Sequence, residues 1–519
     1  MNGRVLAGLR ASRDGAGIAI ALCLLFLQLC WRPIWHTDVW GHLSYGRHIW
    51  EKGSLPATEP LLPYSHGVPF VDTAWLSQLV GYAVVSTERL QLAGLQGLFA
   101  FSVTACAAML SLWTFRQTTR LAFALLAVGI FVIPEWNCIL ILRPQLAGLV
   151  CFVFVLTRLA RSQVQPSDWY VVPFVFILWA NSHPSFPIGL GLMACFCLGR
   201  AWDLSLRTGS FWILARDRRL LRLLTLTIFS AAAVLINPYG FRQLDEILHV
   251  SASPNLQDLT EWQPLSIRNS EGQAFAASVI LVCSLLRCSP RRIRGWEFLA
   301  MVGLGLAAMW SVRMLVWWVP VCCLLIPLHA FAVWRKWRRL PLVTQSAPQS
   351  LYWTLICLAV AATVFLASPL GQAVAFNRHH QGSQSVSSFT PQFAARYLSE
   401  HPAEGTVFAI YEWSDYLQWA GPPDLQLLLN SHAHLIPRNV WTAYMQVIEQ
   451  RNGWNEALDR FGVNTIVIDR ANRTSLIAAL DADHAWQRLT EERDGQVLFG
   501  RKKPFPVVKR LNNPITENP

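Results

Sequence analysis

Charge is scarce in this 519-residue chain: Lys, Arg, Asp and Glu together make up 14% of it, against 53% hydrophobic residues and a positive mean hydropathy. That scarcity excludes a soluble globular protein of this length and marks a polytopic membrane protein. Acidic residues are scarcer than basic ones, 31 against 43, which gives a net charge of +12. The surplus does not imply a nucleic-acid partner, because beyond Ser368 there are 14 Lys and Arg against 15 Asp and Glu. It lies in the apolar part, in short tracts: Arg4, Arg10 and Arg13; Arg116 and Arg120; Arg158 and Arg161; Arg216, Arg218, Arg219 and Arg222; Arg287, Arg291, Arg292 and Arg294; Arg335, Lys336, Arg338 and Arg339. The positive-inside rule reads such tracts as cytoplasmic loops. Cysteine is missing beyond Ser368, and the 12 present fall in or beside apolar runs with no CxxC and His spacing, so neither a disulfide framework nor structural zinc is expected. No glycine-rich phosphate loop opens a helix beyond Gly371, and no repeat of broken apolar segments suggests a transporter. A small-residue cleavage site is also lacking, so the first apolar run is expected to stay as a helix.

What is present is a series of eleven apolar runs, near 17–34, 92–114, 121–135, 138–157, 170–182, 187–204, 220–236, 273–288, 295–312, 314–333 and 351–368. With the basic tracts inside, these become eleven spans, the N-terminus inside and the C-terminus outside. The stretch 71–87, with Asp72, Thr73, Ser77 and Gln78, fits a juxtamembrane or re-entrant helix better than a span.

This topology sends the ionisable residues that break apolar texture to one side. Convergent polar groups at helix ends suggest a site there. Asp38 and His42, four apart, share a face if the segment is helical. A carboxylate there serves as a general base or, with His42, as a ligand for a cation such as Mg²⁺ or Mn²⁺. The alternative is a helix cap made by Thr37 or Asp38. Arg47, in the same loop, is a candidate for contact with the substrate, as is His42. Arg143, before Pro144, and Arg313 either meet a lipid-linked phosphate or snorkel and pair with Glu135 or Glu261. Glu261 orients a cation or an arginine, or is simply an exposed loop acid. Asn181 and His183, in WANSHPSF, are substrate contacts or interhelical hydrogen bonders.

Beyond Gly371 the texture becomes that of a small α/β domain. Strands are expected at 406–411, 425–430, 464–469 and 496–500, and helices at 391–401, 440–451, 455–461 and 473–482, after a polar, exposed linker within 369–390. The expected organisation is thus a membrane domain 1–368 with an outer loop 35–90, the linker, and a distal domain 391–519.

The string Asp38-Val-Trp40-Gly-His42, followed by Gly46, Ile49, Gly53, Pro56, Glu59-Pro60, Tyr64-Ser65 and Trp75-Leu76, resembles the first outer loop of a group of bacterial multi-pass proteins. That group is similar to the GT-C superfamily of polyprenyl-phosphate-dependent glycosyltransferases, which includes oligosaccharyltransferases, protein mannosyltransferases and the aminoarabinose transferases of lipid A. The resemblance extends to Arg143-Pro144-Gln145, Trp179-Ala-Asn181-Ser-His183, Asn237-Pro238-Tyr239-Gly240, Glu261-Trp262-Gln263-Pro264 and Arg313, and to Val407-Phe408 and Trp413 to Leu417. It departs at Ala74, where the group has Glu; at Pro184, where it has Gly; and at Asn430-Ser431-His432, where it has Asp-Gly-Arg.

The resemblance implies a GT-C-like fold, Asp38 as base or metal ligand, a lipid-phosphate-linked sugar as donor, and a place in the bacterial cytoplasmic membrane with the distal domain outside. Arg143 and Arg313 would then neutralise the leaving phosphate, with Asn181 and His183 positioning the sugar. The departures leave a second expectation standing: a non-catalytic envelope protein that binds glycolipid or scaffolds an assembly.

Overall fold

The structure is a computed structural model and describes residues 11–133, 136, 139, 141–339, 349–380 and 384–506. Arg4, Arg10 and Glu135 lie outside the described residues. The chain forms two compact units that alternate along the sequence: Met1–Arg32, Val85–Gly240 and Thr260–His380 make one, and Pro33–Val84, Phe241–Leu259 and Gln381–Pro519 make the other. The expected organisation was continuous in sequence, whereas here most of the outer loop groups with the distal segment.

The first unit is helical. Helices stand at all eleven expected positions, from Arg13–Cys30 to Leu351–Ala367. By length and composition, five of the described helices can cross a membrane, or six if Leu351–Ala367 and Pro369–Phe376, bent by 83° at Ser368, count as one broken span. Others are short: Leu121–Phe131, at 11 residues, rises only about 17 Å against a hydrocarbon core of roughly 30 Å. The molecule is therefore a multi-pass membrane protein.

Its central element is Leu315–Trp337, in which every residue from Leu315 to His329 is buried. A helix apolar on all sides either faces lipid or is enclosed by others, and here Gln91–Thr118, Leu121–Phe131, Ser270–Cys288 and Gly295–Trp310 enclose it. Close crossings use glycine: a Cβ at Gly199, in Phe186–Thr208, would lie 2.0 Å from the backbone nitrogen of Trp296. Several arginines of the unit are held by acids. Arg200 makes a two-pronged pair with Asp217, Arg158 pairs with Asp168, and Arg291 pairs with buried Glu297.

The second unit contains a five-stranded sheet, β1 (Thr406–Ala409), β2 (Gln426–Leu427), β3 (Val463–Asp469), β4 (Trp486–Arg488) and β5 (Gln496–Arg501), in the order β2-β1-β3-β5-β4. β1 runs parallel to β2 and β3, and β5 runs antiparallel to β3 and β4. All seven residues of β3 are buried, as a central strand covered on both faces requires. The four expected helices are present, at Gln392–Glu400, Arg438–Ile448, Trp454–Arg460 and Thr474–Ala482.

β4, the helix Tyr411–Ala420 and the early end of β1 were not expected. Nor is the linker exposed throughout: Val386 bridges Ile34, and Ser385, Val386 and Thr390 are buried. Two outer-loop helices complete the unit, Asp38–Lys52 and Trp75–Ser86, the latter inside the stretch read as juxtamembrane. The segment 241–259 is fastened to the unit by Asn255, whose side-chain amide donates to the carbonyls of Ala433 and Ile436 at 2.8 Å, and by Asp258, which accepts from Arg438 and Trp441.

Candidate functional site

The second unit gathers an unusual density of titratable side chains around the helix Asp38–Lys52. Asp38 is its first residue, where a carboxylate is favoured by the exposed N–H groups and the helix dipole. The Thr37 side chain makes no capping bond, and the helix ends at Gly53 in the left-handed region (φ 66°), with the Gly53 N–H bonded to the Ile49 carbonyl. Asp38 is 23% exposed and lies 3.4 Å from His36 Nδ1.

The same helix face meets Tyr411–Ala420 at a glycine. A Cβ at Gly41 would stand 2.8 Å from Asp415 Oδ1, so only glycine lets that carboxyl group lie against the first turn. Asp415 is fully buried; its Oδ1 accepts from the Ser431 N–H at 3.2 Å, while Oδ2 has no partner among the described residues. Burial first, and then the Asp38 charge, hold Asp415 well above the usual carboxylate range, and burial chiefly, with Asp38 adding to it, raises Glu412. The site thus holds three carboxyl groups, two of them biased toward the acid form and one, Asp38, reached by solvent.

His42, one turn after Asp38, meets buried His432 edge-on at 4.9 Å, and Tyr45 meets the same ring at 4.6 Å. Neither ring nitrogen of His432 has a partner among the described residues, and burial, followed by His42 and His434, pushes its pKa well below the ordinary value, which favours the neutral ring. Gln78 Nε2 lies 3.4 Å from His42 Nδ1 and donates to Asp72 Oδ1 at 3.0 Å. Burial raises Asp72 to about 7 against the opposing Ala74 N–H and Gln78 bonds. Tyr45 donates to buried Glu59 at 2.7 Å. The crossing that brings Gln78 to His42 depends on Gly46, where a Cβ would fall 2.2 Å from the Gln78 carbonyl oxygen. Arg47 braces the neighbouring helix: it donates to the Trp419 and Gln418 carbonyls at 3.3 and 3.2 Å, closing the C-terminus of Tyr411–Ala420, and stacks over Trp419 at 4.9 Å.

Among the described residues, no group of three or more His, Cys, Asp and Glu side chains is arranged to hold a metal ion. Asp38 and His42 are the residues that would hold a cation such as Mg²⁺ or Mn²⁺, whose remaining positions are usually filled by water and substrate phosphate oxygens.

The first unit brings Arg143, Glu261 and Arg313 together. Glu261 Oε2 accepts from Arg143 at 2.9 Å, and Oε1 accepts from Arg313 at 2.5 Å. Arg313 also lies over the Trp262 ring at 5.2 Å. Arg143 is buried, and its guanidinium and that of Arg313 both face the Glu261 carboxylate. Glu135, the other acid considered for Arg143, lies outside the described residues.

Asn181 and His183 serve a different network. The Asn181 amide donates to the carbonyls of Ile177 at 2.8 Å and Ile236 at 2.9 Å, joining two helix ends. His183 Nδ1 lies 2.7 Å from Ser185 Oγ, which also accepts from Trp179 Nε1 at 2.9 Å.

Asp415, Glu412, His432 and Asp72 were not among the sequence candidates. Their signal was present but differently read: Asp415 falls within the Trp413–Leu417 resemblance, and His432 within one of its departures. Both now lie beside the Asp38–His42 turn.

Solved structures share this architecture. The chain superposes on ArnT from Cupriavidus metallidurans bound to undecaprenyl phosphate with a TM-score of 0.53 at 13% identity, covering 94% of this chain and 98% of that one. The fold is GT-C-like. Apo ArnT gives 0.51 at 14% identity, covering 93% and 96%. An oligosaccharyltransferase of Archaeoglobus fulgidus, tethered to an acceptor peptide containing an NVT sequon, gives 0.53 at 12% identity, covering 94% of this chain and 74% of that one. No protein-family model and no curated protein matches the sequence.

Proposed function

We propose that this protein is a membrane glycosyltransferase that takes a sugar from a lipid-phosphate carrier on the outer face of the bacterial cytoplasmic membrane, with the distal unit extracytoplasmic. The acceptor hydroxyl attacks the anomeric carbon, the bond from that carbon to the phosphate oxygen breaks, and its electron pair leaves with the lipid phosphate. The acceptor proton passes to the Asp38 carboxylate, and the anomeric centre inverts. Arg143 and Arg313 take up the negative charge of the leaving phosphate.

One observation carries this reading: of three neighbouring carboxyl groups, Asp415 and Glu412 are biased toward the acid form by burial and by Asp38, while Asp38 itself is reached by solvent. A solvent-reached carboxylate at a helix N-terminus is placed to take a proton from an incoming hydroxyl. The GT-C-like fold supports the donor class, and Asn181 and His183, tied into helix ends, hold the frame of the helical unit.

Consumption of polyprenyl-phosphate sugars by detergent-purified protein, wild type beside Asp38→Asn and Asp38→Glu, tests the assignment. Loss of roughly 10²–10⁴-fold in Asp38→Asn with partial recovery in Asp38→Glu is expected for a general base. Undiminished consumption in Asp38→Asn removes Asp38 from the mechanism. The second reading, a glycolipid-binding or scaffolding protein, draws on the departures at Ala74 and at Asn430-Ser431-His432. It requires donor binding without turnover in all three proteins.

A further inference from the structure

We infer that Glu261 is a built-in competitor for the phosphate received by Arg143 and Arg313, and that its return to them expels the lipid phosphate after transfer. This rests on the reading of the two arginines as the phosphate site.

The carboxylate gives one oxygen to each guanidinium, at 2.9 Å to Arg143 and 2.5 Å to Arg313. A phosphate ester presents the same feature, two oxygens bridging two planar cations. The side chain of Arg143 is only 6% exposed, and a nearly buried guanidinium favours an anion beside it. Exchange of one anion for another keeps one there.

The exposures identify the mobile partner. Glu261 is 33% exposed, more than Arg313 at 25%, and the guanidinium of Arg313 is also held over Trp262. The carboxylate is thus the member that swings into solvent while the arginines stay. Its backbone does not follow, because Ser311 Oγ donates to the Glu261 carbonyl and the Val312 N–H donates to the Gln263 carbonyl, each at 3.1 Å. Those bonds tie the Thr260–Trp262 turn to the turn carrying Arg313, so the carboxylate swings back to the same place. Competition of this kind weakens phosphate binding and speeds release.

The ligand chemistry is a phosphate ester of a long-chain alcohol or free phosphate, and binding to the full chain in detergent distinguishes them. Undecaprenyl phosphate and inorganic phosphate are titrated against wild type, Glu261→Gln, Glu261→Asp and Arg313→Gln. Glu261→Gln is expected to bind undecaprenyl phosphate at least tenfold more tightly than wild type. Glu261→Asp, too short to span both guanidinium groups, should tighten it less, and Arg313→Gln should weaken it. Tightening of both ligands or of the lipid alone supports the inference, the second result showing that the chain is also recognised.

Equal or weaker binding by Glu261→Gln, with Arg313→Gln still weaker than wild type, overturns the competitor and makes Glu261 a brace, leaving the phosphate reading intact. An Arg313→Gln protein that binds both ligands as wild type does overturns the phosphate reading itself. If Glu261→Gln does not fold, unchanged or weaker binding by Glu261→Asp overturns the inference.

Discussion

Asp72 offers a quantitative test of the buried network behind His42. Burial raises its pKa from the ordinary 3.8 to about 7. A carboxyl group whose proton affinity is higher in the folded state contributes most below its unfolded pKa, and its contribution falls as pH rises through the folded one. The window therefore runs from about pH 4 to just above pH 7. At 1.36 kcal/mol per unit, a difference of about three units amounts to roughly 4 kcal/mol, an order-of-magnitude ceiling. Asp72→Asn keeps the oxygen that accepts from Ala74 and Gln78 but cannot ionise. Its stability should match wild type near pH 4 and exceed it progressively up to pH 8, by a margin on the order of a few kcal/mol. Thermal unfolding in detergent, followed by intrinsic fluorescence from the 24 tryptophans, reads the difference at each pH. A wild-type-to-variant gap that does not change between pH 4 and 8 refutes the reasoning.

Gly41→Ala should push the Asp415 carboxyl group from its place beside the first turn, since the new Cβ would meet it at 2.8 Å; turnover should fall at least tenfold while undecaprenyl phosphate affinity stays within twofold, as kinetics and titration would show. Gly46→Ala sets a Cβ 2.2 Å from a backbone oxygen that cannot easily yield, so it should cost more than about 2 kcal/mol or abolish a monodisperse size-exclusion peak. Asn181→Leu removes two hydrogen bonds to helix-end carbonyls and should lower stability by about 1–3 kcal/mol with the donor KM unchanged. A raised donor KM at full stability would instead assign Asn181 to sugar binding.

The helical elements of the fold were legible because long apolar runs separated by arginine tracts have few other readings. All eleven expected positions carry helices, and the distal strands at 406, 464 and 496 begin within a residue of where alternation placed them. Whether each helix crosses the bilayer is a matter of length, which hydropathy conveys poorly for a helix such as Leu121–Phe131. The unexpected helix Tyr411–Ala420 begins directly after a strand, where the apolar run TVFAIY hides the boundary. Among site residues, Arg143, Glu261 and Arg313 were individually visible as charges in apolar surroundings, and pairing with Glu261 was one of two readings held open. The Asp38 cluster was half visible. Asp38 and His42 stand four apart, but Asp415 and His432 reach them from more than 370 residues away through a glycine contact and a ring contact, and neither leaves a local pattern.

The most direct test of the central claim is the product balance of wild-type protein supplied with a polyprenyl-phosphate sugar and a membrane-derived acceptor pool, measured by mass spectrometry of both lipid and glycoconjugate. The account predicts one lipid phosphate released for each sugar transferred, with both signals lost together in Asp38→Asn. Donor that binds and is recovered intact from wild-type protein across the sugars tried would contradict it.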